Sequence, residues 1–358
     1  MVTALDASFW RGRRVLLTGH TGFKGAWLAL WLHRLGARVS GVALAPASEP
    51  SLFTLAGVEQ CLDHRVVDIR DAGALAAVVR QARPEVVLHL AAQALVRPSY
   101  DAPAPTFATN CMGTVHLLDA LRGLPGLRVA LVATTDKVYR NHEEGHAFVE
   151  TDELGGHDPY SASKAAAEIA IACYRDAFLA PSGVALASVR AGNVIGGGDW
   201  SLDRLLPDAV RAWRAGLPLD VRRPEAVRPW QHVLQPLQSY LRLVECLWQQ
   251  PGLASAYNSG PDASQCASVR TVLQLAQRAH GSGELHWAQQ AQGVHEAGVL
   301  LLDSSKLRAV IGEQAGWSLP QAVFHTVAWY RSLQAGADAA RLCGENIDAF
   351  EAVDRLAA

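Results

Sequence analysis

The sequence predicts an α/β protein, a doubly wound parallel sheet with a smaller C-terminal α/β lobe. Three observations predict it. Short apolar runs alternate with amphipathic stretches up to about residue 190; a glycine-rich turn follows the first run; and beyond Gly192 the alternation gives way to Gly-, Pro- and Arg-containing loops with separate helices. Strands separated by helices at this spacing form parallel βαβ units around one sheet.

Val15-Leu16-Leu17 reads as the first strand, ending at Thr18-Gly19. A helix over 22–35 follows, with Phe23, Trp27, Leu30 and Leu35 at near-helical spacing. Residues 38–44 read as a second strand and 65–68 as a third; a helix over 71–82 stops before Pro84. Val86-Val87-Leu88-His89-Leu90 is apolar apart from His89 and has the character of a fully buried strand. A helix over 106–122 leads to a strand over 129–133, and a helix over 160–179 to a strand over 184–189. The second half carries helices over 202–215, 234–248 and 269–280.

Composition narrows the function classes. The chain has 358 residues, half of them hydrophobic, enough for one large domain or two smaller ones. A formal charge of −2 gives no overall attraction to nucleic acid or an acidic membrane. The six cysteines are scattered, with no C-x-x-C pair or zinc-like spacing, so reduced thiols and no metal site are expected. Arg11, Arg13 and Arg14 are not followed by an apolar stretch leading to a cleavage site, so no signal peptide is expected. The most apolar helix, 26–35, is far shorter than the roughly 20 residues of a membrane span. A cytoplasmic protein is the expectation.

Thr18-Gly19-His20-Thr21-Gly22-Phe23-Lys24-Gly25 lies between the first strand and first helix, with glycines spaced G-x-x-G-x-x-G. Such glycines allow a tight turn and close backbone approach to a pyrophosphate, which the helix N-terminus then attracts. The first half is therefore Rossmann-type: residues 1–191 form an NAD-binding domain and 192–358 mainly a substrate-binding lobe, with some chain crossing between them. An acid that would bind the adenosine ribose is missing after the second strand, where Leu44-Ala45-Pro46-Ala47 stands. No arginine there favours NADP, so NAD is the expected cofactor. Asp68-Ile69 either meets the adenine edge or forms a surface turn. Lys24 and His20 face the diphosphate or solvent.

Tyr160 and Lys164 stand at i and i+4 and share a helix face. A cationic lysine beside a phenol favours phenolate, which can take a proton from a sugar hydroxyl. Thr135 at a strand end would hydrogen-bond that hydroxyl. Next to it, Asp136-Lys137 adds an acid and a second amine, more than a simple redox reaction needs. Among the loops beyond the sixth strand, Asn193 and Arg228 are candidates for a diphosphate, since the arginine fork matches phosphate oxygens. Arg204 and the His295-Glu296 pair are candidates for the nucleotide or its sugar.

Together, the glycine loop, Ala91-Ala92-Gln93, Asn110, Thr135 and Tyr160-x-x-x-Lys164 resemble the extended short-chain dehydrogenase/reductase superfamily. The longer stretches Gly19–Leu28, Asp136-Lys137, 190–200 and 228–233 are similar to its CDP-glucose 4,6-dehydratase branch. The resemblance covers nearly the whole chain. It implies that Gly19, Thr21, Gly22, Phe23, Lys24, Asp68 and Ile69 contact NAD, with Ala91, Ala92, Gln93, Asn110, Tyr160 and Lys164. It implies a CDP-glucose substrate, a homodimer or homotetramer, and an internal redox reaction that leaves the cofactor unchanged. Tyr160 removes the 4-hydroxyl proton, and the 4-ketone acidifies C5. Asp136 is then the acid at O6. Lys137 stands where related enzymes carry a carboxylate, either as the C5 base or as a charge that stabilises the enolate. Segment 140–146 departs from the branch in lacking a Trp- and Tyr-rich loop.

Overall fold

The computed structural model describes residues 5–289 and 297–357. Seven strands form one parallel sheet: β1 (Arg14–Thr18), β2 (Arg38–Ala43), β3 (Asp63–Val66), β4 (Val86–His89), β5 (Val129–Ala133), β6 (Ala185–Ala191) and β7 (Ala256–Ser259). Their order is β7-β6-β5-β4-β1-β2-β3. The six expected strands are present. The third begins two residues earlier than its apolar pattern implied, because it pairs with β2 from Ser40↔Asp63 to Ala43↔Val66. The seventh, β7, comes from the second half of the chain and pairs in parallel with β6, Tyr257 opposite Val189.

Alternation along β1 feeds two cores. Leu16 packs on one face with Leu75, Leu117 and Ile171, while Val15 and Leu17 pack on the other with Trp27 and Trp31. The first helix, α1 (Phe23–Arg34), buries Gly25 through Leu32 without interruption. Trp27 donates to the Gly197 carbonyl at 2.9 Å, fastening α1 to the loop beyond β6. α2 (Ala72–Ala82) starts at Asp71, whose carboxylate caps the Ala74 amide at 2.9 Å.

The helix expected over 106–122 is three pieces: α3 (Pro103–Phe107), a π-turn (Ala108–Met112) and α4 (Gly113–Leu121). The π-turn contains Asn110, in keeping with the frequent placement of such bulges at functional sites. α5 (Pro159–Tyr174) likewise ends in a π-turn, Arg175–Leu179. Asp158 caps α5 through the Ser161 amide and hydroxyl, at 2.9 and 2.6 Å, with Pro159 at the first helical position.

Beyond β6 stand α6 (Leu205–Arg214), α7 (Leu234–Gln249) and α8 (Val269–His280). Two further helices, α9 (Leu319–Gln334) and α10 (Ala339–Ala357), went unassigned in the sequence reading. Trp329 of α9 packs so closely on Gly197 that a Cβ there would lie 2.1 Å from its indole ring. No described helix is long and apolar enough to cross a membrane.

Candidate active site

β4, β5 and β6 run parallel to β1, so their C-terminal ends open on one edge, where such sheets take ligands. The glycine loop leaves β1 on that edge. Gly19 has φ +79°, and a Cβ there would lie 2.6 Å from the Ala91 nitrogen; one on Gly25 would lie 2.1 Å from the Gly19 oxygen. Neither position admits a side chain. α1 begins at Gly22 with no side-chain cap and no acid in its first turn, leaving N–H groups for an anion. This cradle fits the diphosphate of NAD, with Gly19, Thr21, Gly22 and Phe23 as the residues that would hold it.

Thr21 ties the loop to the chain after β2, donating to the Leu44 carbonyl at 2.9 Å. His20 faces neither phosphate nor solvent: it is buried 2.7 Å from a His64 ring nitrogen, and burial, then His64, lower its pKa to about 4. Asp68 is engaged with Arg70 at 2.6 Å, and the Ile69 side chain is buried in the core against Gly113.

The Ala91-Ala92-Gln93 turn is tied to both neighbours. Ala91 donates its amide to Thr18 Oγ1 at 3.1 Å. Asn110 accepts from the Gln93 amide at 2.8 Å and donates to the Ser163 hydroxyl at 2.9 Å; Ser163 donates to the Tyr160 carbonyl at 2.7 Å. Beneath, His89 bridges Thr18 (2.6 Å) and Thr114 (3.1 Å), and burial lowers its pKa to about 3, so it is neutral.

At the end of β5, Thr135, Asp136 and Tyr160 converge. Thr135 donates to Asp136 Oδ1 at 3.0 Å and also hydrogen-bonds Tyr160. Asp136 Oδ2 is buried with no hydrogen-bond partner among the described residues, and Gly192 leaves the space beside it. Burial raises the Asp136 pKa, opposed first by Lys137, then by Thr135, Arg228 and Lys24. A buried carboxyl held toward its neutral form is suited to donate a proton.

Tyr160 departs from the sequence expectation. Burial raises its pKa, and the opposing influences are Thr135 and then Arg204, not Lys164. The Lys164 amine donates instead to the Ala133 carbonyl at 3.3 Å, and burial lowers its pKa to about 8. Sharing a helix face does not oblige two side chains to meet, and here the strand end captures the longer one.

Lys24 also departs from its expected place. Its amine donates to the hydroxyl of Tyr240, on α7, at 3.2 Å. Burial, then Arg204 and Lys164, push its pKa down to about 7, while Asp136 pulls it up. Arg204 donates to the Ala94 carbonyl at 3.2 Å. The Arg228 fork holds the carbonyls of Val227 (2.8 Å), Gly298 (3.2 Å) and Ala297, with its charge acting on Asp136. Asn193 accepts the Gln231 amide through its carbonyl at 3.1 Å. The candidate His295 lies outside the described residues.

Three parts of the site had gone unread: Tyr240, the His89 bridge, and a buried platform below Lys164. In that platform Glu168 accepts from Arg190 at 2.9 Å, Ser188 at 2.8 Å and Thr134. Arg190 reaches on to the Tyr139 hydroxyl at 2.9 Å. The i+4 step from Lys164 to Glu168 repeats the one from Tyr160, a signal the sequence did carry.

Residues 16–311 match the model of the GDP-mannose 4,6 dehydratase family. The chain is 39% identical to the CDP-glucose 4,6-dehydratase of Salmonella typhimurium, over 93% of this chain and 95% of that one. It is 28% identical to a dTDP-glucose 4,6-dehydratase of Xanthomonas campestris, over 89% and 93%. The Thermus thermophilus UDP-glucose 4-epimerase, solved with NAD, superposes with a TM-score of 0.75 at 27% identity, covering 89% of this chain and 99% of that one. The chain therefore belongs to the nucleotide-sugar 4,6-dehydratase family, NAD-using hydro-lyases of the extended short-chain dehydrogenase/reductase superfamily.

Proposed function

We propose that this enzyme is a CDP-glucose 4,6-dehydratase, converting CDP-D-glucose to CDP-4-dehydro-6-deoxy-D-glucose and water. The observation that carries the reading is Asp136, a buried carboxyl with one oxygen unpartnered among the described residues, hydrogen-bonded to Thr135 and through it linked to Tyr160. A redox step at C4 needs Tyr160, Thr135, Lys164 and the nicotinamide cofactor but no further acid; an acid in the same pocket serves a leaving hydroxyl.

NAD, when bound, supplies a recycled hydride acceptor. Tyr160 takes the proton of the 4-hydroxyl, oriented by Thr135. Lys137 takes the proton from C5, which the 4-ketone acidifies. Asp136 gives its proton to O6, which leaves as water, and Lys137 then returns its proton to C5. Arg204, Arg228 and Asn193 hold the nucleotide diphosphate and sugar, and residues 192–358 supply most of that lobe to an NAD-binding domain over 1–191. The enzyme works in the cytoplasm.

The test is incubation with CDP-glucose and other nucleotide glucoses, followed by mass analysis. Loss of water without net cofactor consumption is expected with CDP-glucose. An unchanged mass with inverted C4 would replace this reading with an epimerase. Lys137→Ala is expected to keep C4 oxidation, read by nicotinamide absorbance, while elimination stops; undiminished dehydration would remove Lys137 from the mechanism.

The active form is a homodimer paired through α3–α4 and α5. Phe107, Met112, Ile169 and Phe178 are apolar and exposed on these helices and the π-turns that follow them, which supports the pairing. Light scattering should give twice the chain mass, falling to one chain in Ile169→Asp.

A further inference from the structure

Proton accounting in the proposed dehydration exposes a step that the substrate chemistry leaves undone. Tyr160 gains the proton of the 4-hydroxyl, which a 4-keto product never takes back. Asp136 loses a proton to the departing water. The C5 proton is removed and returned by one base, so it cancels. Every turnover thus leaves Tyr160 one proton richer and Asp136 one poorer.

We propose that the Thr135 hydroxyl carries that proton from Tyr160 back to Asp136, resetting base and acid in a single relay. This deepens the dehydratase reading and rests on it. The three groups form a continuous line. Thr135 donates to Asp136 Oδ1 at 3.0 Å and is hydrogen-bonded to the Tyr160 phenol. A hydroxyl both donates and accepts, so it can pass a proton without ending up charged. The neighbouring hydroxyl, Thr134, is committed to Glu168 and the Val189 carbonyl, and Lys137 has no acceptor once protonated.

Burial favours an internal route over exchange with bulk water. Thr135, Asp136 and Tyr160 are 5%, 2% and 8% exposed, leaving little access for bulk water to reload either end. The two carboxyl oxygens of Asp136 have different surroundings. Oδ1 is held by Thr135, whereas Oδ2 has no partner among the described residues. Oδ1 therefore receives the proton, and rotation about the broad carboxyl torsion turns the loaded oxygen toward the pocket.

The step balances. The Tyr160 O–H bond breaks as Thr135 Oγ1 gains that proton, and the original Thr135 O–H bond breaks as Asp136 gains the other. Each bonding pair stays on the oxygen losing its proton. The result is a phenolate, an unchanged threonine hydroxyl now donating to it, and a neutral carboxylic acid. Nothing is oxidised or reduced.

The test compares two rates in wild type, Thr135→Val and Thr135→Ser: the single-turnover rate with enzyme in excess, and kcat. Before a first turnover both end groups have equilibrated with solvent; afterwards they depend on the relay. A threonine that only orients the sugar would slow both rates alike in Thr135→Val. The relay predicts that kcat falls further than the single-turnover rate, by roughly 100-fold, the low end of a general acid–base contribution. Thr135→Ser, which keeps the hydroxyl, restores the wild-type ratio. An unchanged ratio in Thr135→Val overturns the relay, as does a ratio in Thr135→Ser that rises like that of valine. Where Thr135→Val makes no product at all, wild type is measured in mixed light and heavy water. The two protons of the relay add curvature to the dependence of kcat beyond that of the single turnover, and identical dependences overturn the proposal. Wild-type protein that removes no water from CDP-glucose instead defeats the dehydratase reading itself.

Discussion

The glycine turn after β1 and the threonine–aspartate turn after β5 end strands of one sheet, yet they are made of opposite materials. The first works by lacking side chains: its glycines let backbone meet backbone, and an uncapped helix end awaits an anion. The second works through side chains whose protons are held by burial, each partnered by a hydroxyl or a cation. One turn is a shape and the other a titration. Added bulk should therefore ruin the first, while the second should tolerate isosteric replacement structurally and lose only chemistry.

The largest effect belongs to the shape. In Gly25→Ala the new methyl would sit 2.1 Å from the Gly19 oxygen, against backbone that cannot swing aside. The cost should reach or exceed the upper end of the ~1–3 kcal/mol typical of overpacking. Thermal melting and nucleotide content of the purified protein check it; a variant that melts normally and keeps its cofactor would break the contrast. Next comes the platform under the titrating turn. Glu168→Gln leaves the buried Arg190 charge uncompensated and should cost about 3 kcal/mol in denaturant unfolding.

Asp136→Asn then isolates the chemistry. It removes a proton donor without changing shape, so dehydration should fall roughly 100-fold or more, about 2.7 kcal/mol in the barrier. C4 oxidation and the melting temperature should hold. A matching loss of stability would mean that Asp136 serves the fold rather than the reaction.

The two turns also differ in how far the sequence discloses them. The glycine loop is legible because each of its constraints lies within eight consecutive residues, Thr18 to Gly25. Likewise, β4 and β5 announce themselves as largely apolar runs buried on both faces. β7 does not: Ala256–Ser259 is short, ends in Asn258 and Ser259, and becomes a strand by pairing with β6. At the site, Thr135, Asp136 and Tyr160 were readable as types and spacing, but the direction of a long amine was not. Lys164 turns to Ala133, and Lys24 finds a tyrosine 216 residues away, a partner only the folded chain brings near.

Lys24 joins the two turns, standing on the glycine loop while its charge acts on Asp136, and it gives the smallest and most pH-specific effect. Its pKa falls from 10.5 unfolded to about 7 folded, mainly through burial. Above pH 10.5 the amine is neutral in both states and costs nothing. As pH falls toward 7, the unfolded chain binds a proton that the folded one does not, so the native state loses stability; below 7 both are protonated and the loss stays constant. Lys24→Met should therefore stabilise the fold at and below pH 7 by about 1–2 kcal/mol, less than the full shift implies because Asp136 loses a countercharge. That gain should vanish above pH 10.5. Unfolding curves at several pH values decide it: a gain independent of pH would mean that Lys24 acts through packing alone, and would assign it wholly to the turn that works by shape.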